Sequence, residues 1–113
     1  MLLLTNTARI PAWSSTRPKG YWVTVYRSIS DPQKLAAYAQ LAPPAIAPFG
    51  GRYLARGTAA AAFEAGQKER IVMSEFPSVD KAIAAYQSPA YQNALKALGN
   101  GAVRDIRIVE GLD

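Results

Sequence analysis

The chain has 113 residues, half of them apolar, 19% charged and 10% aromatic, with a formal net charge of +5. That is enough for one domain with a real core, and it excludes a disordered chain. There is no Cys and no His, so disulfides, thiolate nucleophiles, Cys-ligated zinc or iron–sulfur sites, histidine triads and zinc hydrolases are out, and chemistry falls to Tyr, Ser, Arg, Asp and Glu.

Residues 1–19 lack periodicity, contain Pro11 and Pro18, and read as a flexible extension in which Trp13 would pin onto the body or a partner. The basic excess is concentrated there: Arg9, Arg17 and Lys19 have no acid among them, whereas from Tyr21 onward ten basic residues face eight acidic ones. That body has no Lys/Arg cluster interleaved with aromatics, so no nucleic-acid partner is expected. The apolar run Met1 to Leu4 stops at Thr5, short of a signal peptide, although the Arg-containing, acid-poor start weakly echoes a transit peptide. No stretch approaches the ~20 apolar residues of a membrane span. The expected location is the cytoplasm, with no membrane contact.

The first strand is predicted from Gly20 to Ser28. Tyr21, Val23 and Val25 take one face, Trp22 and Tyr26 the other, so both faces are apolar and both need cover. Asp31 is a good N-cap before Pro32 at the first helical position. Leu35, Tyr38, Ala39, Ala42, Ile46 and Phe49 then keep helical spacing. Pro43 and Pro44 predict a kink or a restart. Gly50-Gly51 ends the segment. A short strand from Arg52 to Arg56 leads into a connection from Gly57 to Glu69, expected to hold irregular strand or a helical turn. Arg70 to Phe76 reads as the third strand. Ser78 caps a helix with Val79, Ala82, Ile83 and Tyr86 on one face, and Ser88-Pro89 restarts it with Tyr91, Leu95 and Leu98 inward and Gly99 as stop. Val103 to Val109 is the last strand, with Ile106 and Ile108 sharing a face.

The order β-α-β-β-α-β predicts an α+β, ferredoxin-like domain over residues 20–113: a four-stranded antiparallel sheet with its helices on one face. Helices on one face cannot cover a strand that is apolar on both. A second copy packing sheet to sheet would hide the rest, so a homodimer is expected. Covering ~600 Å² of apolar surface at ~25 cal/mol per Å² would contribute on the order of 15 kcal/mol before the costs of association.

The blocks GYWVTVYRSISDP from Gly20, FGGRYLARG from Phe49, EFPSVDKAIAAYQSPAYQ from Glu75 and IVEG from Ile108 stand in an order that resembles domain-of-unknown-function family 1330, over about residues 20–112. That family is similar to the dimeric α/β-barrel superfamily, which includes antibiotic-biosynthesis monooxygenases and muconolactone isomerases. The resemblance implies a ferredoxin-like protomer dimerised through its sheet, and implies no established activity. Gln87 stands where family members often carry His, so a His base proposed for the family does not apply here.

The candidate site residues follow. Arg56, at the end of the second strand, could orient an anionic or carbonyl substrate, and Glu75 could take a proton. A structural charge network, with Arg52 included, is the competing reading. Tyr86, Ser88 and Tyr91 cluster at the break between the later helices, where a phenol or hydroxyl could bind a substrate oxygen. Ser88 is equally explained as an N-cap. Trp22 and Tyr26 could wall an apolar cleft between sheet and helices or line the dimer seam. No glycine motif cradles a nucleotide phosphate, no acidic group has metal-ligand spacing, and no cofactor is expected. A small hydrophobic or carbonyl-bearing molecule bound between sheet and helices is the leading expectation. A cofactor-independent isomerase or monooxygenase-like enzyme, with Glu75 or a tyrosine such as Tyr86 moving the proton, is the alternative, and a structural interaction module the third.

Overall fold

A computed structural model describes residues 18–112. The readings for residues 1–17, Trp13 among them, lie outside the described residues. The elements are β1 (Gly20–Ile29), α1 (Pro32–Ile46), a 3-10 turn (Ala47–Phe49), β2 (Arg52–Thr58), β3 (Arg70–Phe76), α2 (Val79–Gln87), α3 (Pro89–Leu98) and β4 (Ala102–Glu110). The strands form one sheet in the order β2-β3-β1-β4, every pair antiparallel. This is the expected α+β arrangement.

The caps act as their residue types dictate. Asp31 accepts from the Gln33 and Lys34 amides at 3.1 and 3.2 Å, and Ser78 from the Lys81 amide at 3.2 Å. Each satisfies orphan donors of a first helical turn. Gly20 opens β1 because the chain there runs against the start of α2. A Cβ on it would lie 2.5 Å from the Ser78 carbonyl oxygen.

One face of the sheet meets the helices. Trp22 and Phe76 come up from the strands, and Ala42, Ala45, Ile46, Ala82, Ala85, Tyr91 and Ala94 come down from α1, α2 and α3. Alanines let the helices approach, and aromatics fill the space between. Trp22 stacks on Phe76 with ring centroids 5.9 Å apart and meets the edge of Tyr91 at 5.0 Å, both within the range where aromatic pairs add to plain burial.

Two expectations are corrected. Of the kink or restart expected at Pro43-Pro44, the restart does not occur: α1 continues to Ile46 and only then tightens into the 3-10 turn. Proline's fixed φ is helical, so the cost is lost donors and crowding near the helix end. Burial of Ala42, Ala45 and Ile46 in the core offsets it. Second, β2 runs on to Thr58, and the segment 59–69 is turns without helix or strand. The Gly66 amide closes one turn on the Phe63 carbonyl at 2.9 Å, with Glu64 at φ 54 inside it.

Candidate functional site

Between the sheet and helices α1 and α3 lies a narrow cleft that opens to solvent. Its floor is built by strand alternation. Trp22, Thr24 and Tyr26 of β1 face it, and the residues paired with them, Ser74 and Val72 of β3 and Arg104 of β4, share that face. Leu35, Tyr38 and Ala39 of α1 and Tyr91 of α3 form the roof.

Arg56 reaches the cleft through a β-bulge. Tyr53 pairs with Ser74, and after the irregularity at Leu54 the register resumes with Ala55 opposite Met73 and Arg56 opposite Val72. Strict alternation would send Arg56 to the far side of the sheet. The extra residue turns it to the same side as Tyr53, and its guanidinium sits 4.5 Å from the Tyr53 ring centroid. Arg70 and Arg104 also line the cleft. Arg104 lies over the Tyr38 ring at 4.7 Å and over the Tyr26 ring at 5.6 Å.

The two phenols at the roof are joined. Tyr38 Oη and Tyr91 Oη are 2.6 Å apart, and an Arg104 amino group approaches Tyr91 Oη at 3.5 Å. Burial pushes the Tyr91 phenol above its ordinary pKa, and does the same to Tyr53. Both remain neutral donors at physiological pH.

The opposite sheet face carries Tyr21, Val23 and Val25, with Met73 and Ile71 of β3 and Val109 of β4 beside them. Its charges are paired. Arg52 Nε meets Glu75 Oε1 at 2.9 Å, and Tyr21 Oη donates to Glu75 Oε2 at 3.1 Å. The Arg52 hydrogen bond leads in holding the Glu75 carboxyl below its ordinary pKa. Asp105 takes both Arg27 and Arg107.

The structure therefore sorts the sequence candidates. Trp22, Tyr26, Arg56 and Tyr91 meet in the cleft. Glu75 is on the other side of the sheet from Arg56, so the two cannot act on one small molecule in the cleft. Tyr86 packs against Trp22 at 5.5 Å and Tyr91 at 5.2 Å, behind the lining. The Ser88 hydroxyl donates to the Ala85 carbonyl at 2.8 Å and accepts from the Tyr91 amide at 3.2 Å, which occupies it as the cap between α2 and α3. Tyr38, Tyr53, Arg70 and Arg104 are cleft residues that the sequence reading missed. For two of them a signal existed: Arg70 alternates with Val72 and Ser74, and Arg104 with Ile106 and Ile108, on the inward face of its strand. Among the described residues no group of His, Cys, Asp or Glu could hold a metal ion, and no helix is long and apolar enough to cross a membrane.

Four antiparallel strands in this order, roofed on one face by helices over an aromatic cleft, define a ferredoxin-like α+β domain. The chain belongs to the family DUF1330, described as a domain of unknown function, which it matches over residues 19–112. Its fold is similar to that of a protein of unknown function from Rhodopseudomonas palustris (TM-score 0.67, 17% identity, covering 86% of this chain and 85% of that one). It is also similar to SnoaB, a cofactor-independent oxygenase from Streptomyces nogalater (TM-score 0.61, 10% identity, 85% and 95%). A dimeric ferredoxin-like protein of unknown function from Thermobifida fusca is a third (TM-score 0.57, 18% identity, 83% and 92%). At these identities the likeness is one of fold. No curated protein matches the sequence.

Proposed function

We propose that the protein binds a small apolar, carbonyl-bearing molecule in the cleft, as a homodimer packed through the open sheet faces. The observation that carries the binding reading is the cleft itself: aromatic walls, convergent donors, and no carboxylate among its described lining residues. The dimer reading is supported by the apolar centre and charged rim of the open face. A dimeric relative of the same fold agrees with it.

Acetophenone, a neutral aromatic ketone, tests the binding reading. Thermal unfolding of the natural chain is expected to shift upward with its concentration. Ala39→Trp places an indole in the cleft from an exposed helix position, and that variant is expected to fold but lose the shift. A shift retained in Ala39→Trp would place binding elsewhere.

The second reading, a cofactor-independent oxygenase or isomerase, is favoured by the joined phenols of Tyr38 and Tyr91 beside Arg104. The one phenol proton that their mutual bond leaves free and a cation are suited to stabilising negative charge as it develops on a carbonyl oxygen. Glu75, held on the far face, is not placed to be the base, so the substrate would have to lose its proton to another group. Incubating the bound compound separates the readings. Unchanged recovery supports a binding protein, and dioxygen consumption or an isomerised product supports catalysis.

A further inference from the structure

Charge is segregated by sheet face in this protein. Two strand carboxylates, Glu75 of β3 and Asp105 of β4, are turned to the open face and paired there with Arg52, Arg27 and Arg107. The cleft receives Arg56, Arg70 and Arg104, one from each of three strands, and among the described residues none of them forms an ion pair. Guanidinium groups stay protonated at any physiological pH. Like charges that share a cleft repel one another, and Arg70 and Arg104, both half-buried, are less well compensated by water than surface charges. Such a cluster is stabilised by an anion.

Resting on the cleft-binding reading above, we infer that the cleft is an anion site, selective for a planar monoanion (a carboxylate or an enolate) carried on a flat apolar body. The strongest pointer is Arg70. Its Nε is buried and has no hydrogen-bond partner, although buried polar groups are nearly always satisfied. Arg56 already lies against Tyr53, and Arg104 against Tyr38 and Tyr26. Arg70, which lines the cleft, is left with an unfilled donor. A guanidinium fork matches the two oxygens of a carboxylate.

The phenols contribute a further donor. Two hydroxyls hold two protons, and one lies between Tyr38 and Tyr91. Tyr91 is buried, with no other acceptor among the described residues, so it donates to Tyr38. The remaining proton is on the half-buried Tyr38 hydroxyl, free to meet a second ligand oxygen. Trp22 and Tyr26 face the same space and give the flat body its walls.

Benzoate and benzamide share a ring and differ in charge, and they test the inference. Titrations of the full chain are followed by nitrogen-15 NMR, in which arginine Nε–H groups give their own signals. Benzoate is expected to bind about tenfold tighter than benzamide, the order of effect for charge-assisted hydrogen bonds over neutral ones. It is also expected to move the Arg70 Nε–H signal. Arg56→Met, at an exposed position, is expected to weaken benzoate several-fold and benzamide clearly less, because the lost group is a charge as well as a donor. Equal affinities, or an Arg70 signal that stays still as benzoate saturates, would overturn the anion site while leaving the cleft reading intact. If neither compound moves any cleft signal, the cleft reading falls and the anion site with it.

Discussion

Replacing Trp22 by alanine is expected to lower the unfolding free energy by about 3–5 kcal/mol. A domain of this size typically has ~5–15 kcal/mol in total, so the variant would sit near the edge of folding. The size of the effect follows from where the indole is. It is 4% exposed at the centre of the sheet, stacked on Phe76 and contacted by Tyr86 and Tyr91. The helix residues around it are mostly alanines, which are too short to collapse into the space it would leave, so a cavity would persist. Trp22→Phe keeps a ring on Phe76 and is expected to lose clearly less. Urea unfolding monitored by circular dichroism measures both. A loss below 1 kcal/mol for Trp22→Ala would mean that the aromatic cluster is not what holds helices to sheet.

Val23→Asp is expected to convert a dimer of about twice the 12.2 kDa chain mass into a folded monomer. Val23 stands on β1 between Met73 of β3 and Arg107 of β4, in the apolar centre of the open face. A sheet-to-sheet pairing related by a two-fold axis would bring two introduced carboxylates into a dry seam. Arg107 beside it is already held by Asp105, burying a charge without a dedicated partner costs several kcal/mol, and symmetry would impose that cost twice. The cleft is on the other side of the sheet, so the monomer should still take up a cleft ligand. Sedimentation at micromolar concentration decides the matter. A natural chain that sediments as a monomer, or a Val23→Asp chain that remains a dimer, contradicts the pairing.

Much of this was legible in the residues. Asp31-Pro32, Ser78 and Ser88-Pro89 mark helix starts by chemistry that no tertiary contact overrides, and the alternation in β1 shows that Trp22 and Tyr26 oppose Val23 and Val25. What stayed hidden depended on register. Arg56 and Glu75 read as two parts of one candidate site because each stands near the end of its strand. Only the extra residue at Leu54 decides that Arg56 enters the cleft, and a bulge leaves no composition signal in RYLARG. Glu75 needed only parity: it is one residue from the inward-facing Ser74 and Phe76, hence outward. The double proline suggests a restart because its local cost is real, while the core burial of Ala42, Ala45 and Ile46 that keeps the helix running is tertiary. Tyr38 carries a helical-core signature, and nothing in its spacing says that its hydroxyl meets Tyr91 rather than solvent.

The most direct measurement is a crystal structure of the full chain grown with 4-bromobenzoate, using the anomalous signal of bromine to locate the ring. The account places the bromine between Trp22 and α1, with the carboxylate directed at Arg56 and Arg70. Bromine found only on the face of Val23 and Met73, or no bound compound at concentrations that saturate in solution, would contradict it.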